Sequence, residues 1–193
     1  MEAKADLRLL EAPLLSGAEV SGSPCPVPAA AGVYGWWFSE IPDGVPTDGC
    51  ERRENWVLLY VGISPKAPPQ NGKPPSSQTV RSRVRYHYRG NAEGSTLRLT
   101  LGVLLGLELR RVGSGSRRTF STSEEVLSSW MAANARVNFV EHEEPWVLEE
   151  DLIGRLCLPL NLDQNKKHPF HQTLSAMRKA ARLAAESLPV LDR

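Results

Sequence analysis

One acid in this 193-residue sequence stands where packing would call for hydrocarbon. With about 100° between successive helical residues, Leu148, Leu152, Leu156 and Ile153 span about 140° of one face of a helix over residues 146–156, and Glu149 projects between Leu156 and Ile153. Glu150 and Asp151 point the other way, where a charge costs nothing. An ionised carboxylate on a buried face needs a partner, either an arginine in a salt bridge or a bound cation. Residues 79–89 repeat the pattern. Val80, Val84 and Tyr88 recur at every fourth position, and Arg83 and His87 lie one turn apart on one margin of that stripe, so a guanidinium and an imidazole face the same space. A bland assignment stays open for each: Arg83 as the partner of a carboxylate, His87 as a hydrogen-bonded core histidine. Arg81 and Arg85 flank the opposite margin and, with Arg89, are expected to meet backbone phosphates.

Two apolar stretches place a tyrosine beside glycine, Gly-Val-Tyr at 32–34 and Tyr-Val-Gly at 60–62. Tyrosine in a strand is ordinarily a packing residue, so neither motif says much alone.

The elements that must position these groups follow from periodicity and turn chemistry. GVYGWWF (32–38) and NWVLLYVGI (55–63) are β-branched and aromatic and predict two strands paired as an antiparallel hairpin. The stretches 41–55 and 64–78 hold Pro and Gly in numbers that no regular element tolerates, and are expected to be inserted loops. Residues 79–89 predict a helix, STLRLTLGVLLGLELRRV a buried helix followed by a strand near 107–112, and GSGSRR a turn. Thr122 and Glu125 have capping-box spacing ahead of the stripe Val126, Leu127, Trp130 and Met131. VNFVE (137–141) is a further strand, Pro145 suits the first turn of the Glu149 helix, and a last helix is expected over 170–187 with residues 178, 179 and 182 on its polar side. Residues 1–31 offer turns but no apolar period and are expected to form a lead-in arm or linker to a domain over 32–188. The fold class expected is α/β of the α+β kind, a small, mainly antiparallel sheet flanked by helices.

Composition narrows the function. Lys and Arg number 23 against 22 Asp and Glu, so the chain lacks the overall basic balance of a nonspecific nucleic-acid coat, and any such footprint must be local. Arg81, Arg83, Arg85 and Arg89 form one cluster, and Arg110, Arg111, Arg117 and Arg118 another. Three dispersed cysteines, Cys25, Cys50 and Cys157, give neither metal-ligand spacing nor a disulfide framework. With no apolar leader and no stretch of membrane-spanning length, a soluble cytoplasmic protein is expected, with no membrane partner.

Taken in order, Gly32-Val33-Tyr34, Tyr60-Val61-Gly62, Arg83 in the following helix, Glu149 and Asn161 resemble the motif series of the GIY-YIG nuclease superfamily, which includes excinuclease subunits, homing endonucleases and some restriction enzymes. The tail is the most specific part: Leu148-Glu149, Leu152-Ile153, then Pro159 and Asn161 look like the family's Leu-Glu-x-x-Leu-Ile run ending in Pro and Asn. Arg83 followed by His87 is similar to the Arg-x-x-x-His arrangement of the restriction-enzyme branch. The resemblance implies a metal-dependent endonuclease acting on nucleic acid, with DNA the expected substrate. It implies that Glu149 holds one divalent ion, Mg²⁺ or Mn²⁺, that Arg83 binds the attacked phosphate, that Tyr34 is the general base with His87 taking its proton, and that Tyr60 and Asn161 position these groups. Two features depart from the family. The connection between the tyrosine motifs is lengthened, and Ile63-Ser64 stands where a lysine often follows the second motif, which leaves Lys66 or Lys73 as a substitute. The inserted loops and residues 165–168, with Lys166 and Lys167, are expected to contact substrate. An idle binding module of the same fold, or a structure-specific repair or defence nuclease, are the alternatives.

Overall fold

The structure, a computed structural model, describes residues 8–69 and 76–192. Its elements run α1 (Gly17–Ser21), β1 (Gly32–Phe38), β2 (Arg52–Arg53), β3 (Trp56–Ser64), α2 (Val80–Arg89), α3 (Thr96–Leu104), β4 (Arg110–Val112), β5 (Arg117–Thr119), α4 (Ser123–Asn134), β6 (Ala135–Glu141), α5 (Pro145–Arg155) and α6 (His171–Ser187). A four-stranded antiparallel sheet in the order β2-β3-β1-β6 forms the centre, with a separate β4-β5 ribbon. The hairpin and the α+β arrangement stand as the sequence predicts. The insertion at 41–55 is more structured than expected, since it supplies β2 and buries Val45 and Cys50.

Pleating sends alternate side chains of the sheet into two layers. Val33, Trp37, Leu58 and Val61 face Leu148, Leu152 and Ile153 of α5, together with Leu9. Tyr34, Trp36, Phe38, Val57 and Leu59 face the opposite layer, against Val80, Val84 and Tyr88 of α2, Leu97 and Leu101 of α3, and Leu127 and Met131 of α4. The alternation breaks once. The β1–β3 register slips between Trp36 and Trp37, where Trp36 pairs with Tyr60 but Trp37 with Leu58. Leu59 and Tyr60 both pack on the Tyr34 side as a result. Without this bulge Tyr60 would share a face with Leu58 and turn away from Tyr34, so the bulge re-aims it.

The expectation of a lead-in arm does not describe residues 8–31, which are built into the core. Leu9, Val20 and Val27 are fully buried, and Leu15 exchanges backbone hydrogen bonds of 2.8 and 3.0 Å with Val137, covering the outer edge of β6. This corrects the phosphate-binding assignment of two arginines as well. Arg81 Nε donates to the Val27 carbonyl at 2.6 Å, and Arg85 donates to the carbonyls of Val20 at 2.9 Å and Gly22 at 3.2 Å. These donors tie α2 to backbone carbonyls of the N-terminal segment. Arg111 plays the same part near the other terminus, donating to Ala185 and Leu188.

The capping box expected at Thr122 is not formed. Thr122 has helical dihedrals and makes no side-chain cap. The neighbouring Glu124 is taken instead by a side chain the sequence did not mark: Arg98, fully buried on α3, donates from Nε and Nη2 to the Glu124 carboxylate, from Nη2 to the Glu124 carbonyl, and from Nη1 to the carbonyls of His87 and Tyr88. The other carboxylate oxygen accepts from the backbone of Ala92 and Phe120.

Replacing Arg85 with alanine should therefore act on stability. Charged hydrogen bonds of this kind are worth about 2 kcal/mol, which in a domain of this size lowers the melting temperature by about 4–8 °C. Arg89→Ala, at an exposed position one turn further on, should leave it within about 1–2 °C. Thermal unfolding of both variants checks this, and equal melting temperatures would rule out the stapling role.

Candidate active site

Tyr34 and Tyr60 come together because of register. Tyr34 pairs with Gly62 and Trp36 with Tyr60, so the two phenols are diagonal neighbours on one face. Gly62 is required there. A Cβ at this position would stand 2.7 Å from the Tyr34 hydroxyl and 2.8 Å from its Cζ, so only glycine lets the ring lie across β3.

α2 lays its expected margin over these rings. The Tyr34 hydroxyl is 2.9 Å from His87 Nε2, and His87 Nδ1 is 2.7 Å from Ser95 Oγ. Ser95 is the N-cap of α3, and its oxygen accepts the Arg98 backbone N–H. The positive charge of Arg83 bears on the Tyr34 oxygen and favours its ionised form. In the tautomer with the proton on Nδ1, Tyr34 donates to Nε2 and Nδ1–H donates to Ser95; the other tautomer reverses both bonds. Burial holds the Tyr34 hydroxyl well above the ordinary tyrosine range, with the neighbouring Tyr60 adding to the rise. Burial, then the charges of Arg83 and Arg98, hold His87 well below its ordinary value. Tyr60 is raised too, chiefly by burial, with Thr96 acting in the opposite direction. The resting site contains a neutral phenol on a neutral imidazole.

Glu149 arrives from the opposite layer. At the edge of β3 beyond β2, the chain after α5 docks alongside the strand. Leu160 donates its N–H to the Leu59 carbonyl at 3.1 Å, and the Asn161 side chain clasps Val61, accepting its N–H at Oδ1 and donating from Nδ2 to its carbonyl, both at 2.9 Å. Asn161 thereby acts on the backbone of the Tyr60–Gly62 motif. The resulting cavity, about 390 Å³, is lined by Tyr34, Tyr60, Arg83, Glu149 and Asn161, with Lys66, Asp163 and Arg178. Five of the six expected catalytic residues share that wall, and His87 lies directly behind Tyr34.

The Glu149 carboxylate is poorly matched by protein groups. Its hydrogen bond comes from Gln164 Nε2 at 3.4 Å, which is long. Burial pushes its carboxyl up to about 7, against the lowering effects of Gln164 and Lys66, and Asp163 adds to the rise. The salt-bridge alternative is thus not what the fold builds. Among the described residues no three His, Cys, Asp or Glu side chains cluster as a metal cage. A desolvated carboxylate with a second acid nearby fits a hard divalent cation that keeps most of its waters and takes others of its ligands from substrate. Lys66 faces the cavity from the 64–78 loop, close enough to bear on Glu149, while Lys73 lies outside the described residues.

Of the expected substrate-binding residues, Arg89, Lys166 and Lys167 are exposed, and Arg81 and Arg85 are committed to the N-terminal segment. The 64–78 loop lines the cavity through Lys66, Ala67 and Gln78, whereas among the described residues 41–55 does not reach it. Sequence reasoning passed over Ser95, Asp163, Gln164 and Arg178. Ser95 had a readable signal, an N-cap residue directly before an apolar helix. Arg178 had none, because nothing separates it in sequence from Lys179 and Arg182.

The GIY-YIG catalytic domain family matches residues 32–180 of the chain. No curated protein and no solved structure matches it.

The raised Glu149 carboxyl has a consequence for stability. A group whose proton affinity is higher in the folded state contributes stability that is present below its unfolded value of 4.5 and lost as the pH rises through about 7. Glu149→Gln keeps the shape and removes the charge. It should melt higher than the parent at pH 8 and about equally at pH 4 in metal-free buffer. A lower melting temperature at pH 8 would show that the ionised carboxylate is well accommodated by the protein alone.

Proposed function

Because the chain belongs to the GIY-YIG catalytic domain family, a family of nucleases, we propose that it is a metal-dependent endonuclease that hydrolyses phosphodiester bonds, with DNA as its substrate. The observation that carries this reading is the convergence of Tyr34, Arg83 and an under-partnered Glu149 on one cavity. Among the described residues no helix is long and apolar enough to cross a membrane, and the exposed Lys166 and Lys167 suit a polyanion.

Hydrolysis needs an oriented water, neutralisation of charge on the phosphoryl oxygens, and support for the leaving oxygen. Arg83, fixed by its donation to the Gly94 carbonyl at 2.7 Å, turns its remaining donors to the attacked phosphate. In the Nδ1-protonated tautomer of His87, Tyr34 directs its proton to Nε2, presents an oxygen lone pair to the cavity and accepts a hydrogen bond from the attacking water. As the bond to phosphorus forms, Tyr34 takes the water's proton and passes its own to Nε2. Burial and two arginines oppose an imidazolium, so that proton leaves again with the product. Ser95 accepts from Nδ1 in that tautomer, and without it the ring could flip its tautomer and lose Nε2 as an acceptor. Asn161 holds Val61 and hence the ring of Tyr60. Glu149, with Asp163 beside it, would hold a divalent cation such as Mg²⁺, which when bound supplies positive charge to the phosphoryl group.

Supercoiled plasmid, single-stranded DNA and RNA, each incubated with and without Mg²⁺ or Mn²⁺, give the direct test. Cleavage of DNA that stops on chelation is expected; binding without cleavage under every condition would leave the idle-module alternative. Tyr34→Phe should slow single-turnover cleavage by about 10²–10⁴-fold with little loss of stability, and a variant as fast as the parent would remove Tyr34 from the reaction. The pH profile should rise through about pH 7 and shift to lower pH as Mg²⁺ is increased, because cation and proton compete for Glu149. His87→Asn should be slower yet keep that limb, since His87 is neutral across this range.

A further inference from the structure

Three arginines carry a buried Nε without a hydrogen-bond partner: Arg110, Arg118 and Arg178. Two of them are satisfied through other nitrogens. Arg110 donates to Glu108 and to the Pro189 carbonyl, and Arg118 to Glu186. For Arg178 no such bond is formed among the described residues, although it lies in the wall of the cavity that holds Tyr34 and Glu149. Arg178 is half-buried, and removing its Nε from solvent without a hydrogen-bond acceptor has a cost that the fold does not relieve. The acid nearest in effect is Asp163, which forms no ion pair with it, and Arg182 on the next turn of α6 repels it. Its surroundings already oppose its charge, so an anion arriving there would be strongly welcomed.

Arg178 is not among the groups that bear on Glu149 or Tyr34. The groups that bear on Glu149 are Gln164, Lys66 and Asp163, and those that bear on Tyr34 are Tyr60, Arg83 and Glu149. Arg178 is influenced instead by Arg182, Asp163 and Tyr60. It is carried on α6, whereas Arg83 is carried on α2. One cavity thus offers two planar donors from two different helices. A single phosphate at the Tyr34–Arg83 position leaves Arg178 unused, but a chain of phosphates does not.

We infer that Arg178 is a second phosphate subsite, which takes the backbone phosphate adjacent to the one attacked and so reserves the cavity for internal linkages of a polynucleotide. This rests on the phosphodiesterase reading above. Arg178 is a binding residue here, without a part in proton transfer. The guanidinium fork holds a non-bridging oxygen pair, and a lysine at the same place would supply the charge without the geometry.

The test uses an oligonucleotide carrying one neutral methylphosphonate at the linkage on either side of the cleaved bond. In the parent enzyme, neutralising the phosphate on one side should lower kcat/KM by about 10- to 100-fold, the range for a lost charged hydrogen bond. Arg178→Gln should lose a similar factor on the all-phosphate strand and then be insensitive to the methylphosphonate. Arg178→Lys should recover part of the loss, and Lys179→Gln, an exposed neighbour on the same helix, should match the parent. Additive losses from the variant and the methylphosphonate would overturn the assignment. Binding of the same strands without divalent ions, followed by fluorescence anisotropy, gives a readout independent of cleavage. A parent that cleaves nothing but shows the same Arg178-dependent penalty would sink the nuclease reading and keep the subsite. A parent that cleaves with no penalty on either side would do the reverse.

Discussion

The buried guanidinium of Arg98 is the constraint from which the site's geometry follows. All five of its donor positions are used, on the Glu124 carboxylate and carbonyl and on the last carbonyls of α2. A helix C-terminus ordinarily leaves such carbonyls to solvent or to a cap. Here they are tied to the charge of a helix that is itself capped by Ser95, and Ser95 holds the His87 ring. Breaking the ion pair by removing either partner would strand a charge in a region with no water to accept it. The same residue acts at a distance, since its charge helps keep His87 neutral. Arg98 thus bears on both the position and the protonation state of the imidazole, the latter after burial and Arg83.

Against that helical side, the sheet contributes two irregularities that a regular hairpin would not provide. The bulge at Leu59–Tyr60 places two consecutive side chains on one face, and Gly62 clears the space over which Tyr34 lies. Tyrosine and glycine two residues apart make sense only together with the slip: the phenol is turned toward its partner, and the missing side chain makes room for that partner. Asn161 then fixes this stretch from outside. Because β2 pairs with only the first part of β3, the strand's later backbone is unpaired, and a side-chain amide takes the place of a neighbouring strand at Val61. The edge that would otherwise invite another chain is used to attach the segment that follows the Glu149 helix.

Much of this could be read in the sequence where a rule of periodicity was obeyed or conspicuously broken. The strands at 32–38 and 56–64 follow from their β-branched and aromatic content, and Glu149 and the Arg83–His87 pair from polar residues on apolar stripes. What failed was the partner choice of arginine. Arg81 and Arg85 occupy a helix face suited to phosphate, but the fold folds residues 8–31 back over that face and takes the donors for carbonyls. Short polar and proline-rich stretches hide such packing, because their contribution lies in three isolated side chains, Leu9, Val20 and Val27, with no period to betray them. Arg98 escaped for the opposite reason: within TLRLTLGVL it looks like the one solvated position of an apolar helix, and only the tertiary fold reveals Glu124 beside it. The capping motif at Thr122 misled because the acid one residue earlier had a stronger claim, from a full positive charge rather than a hydroxyl.

The distribution of unsatisfied charge divides the molecule. Away from the cavity, Arg98 is matched to completion, Arg81, Arg85 and Arg111 donate to backbone carbonyls, and Arg110 and Arg118 leave a bare Nε but pair through their other nitrogens. Within it, Glu149 has one long hydrogen bond, Arg178 has a bare Nε, and two phenols and an imidazole are held in their neutral forms by burial. A fold able to saturate Arg98 so thoroughly is not short of partners in general. Around the cavity the deficit is of both signs, with the under-partnered carboxylate on α5 and the under-partnered guanidinium on α6. Were the two side chains in contact they would quench each other and stabilise the protein. Kept apart, they hold under-partnered charge of both signs on the walls of one cavity, at a cost in stability that the rest of the fold must carry.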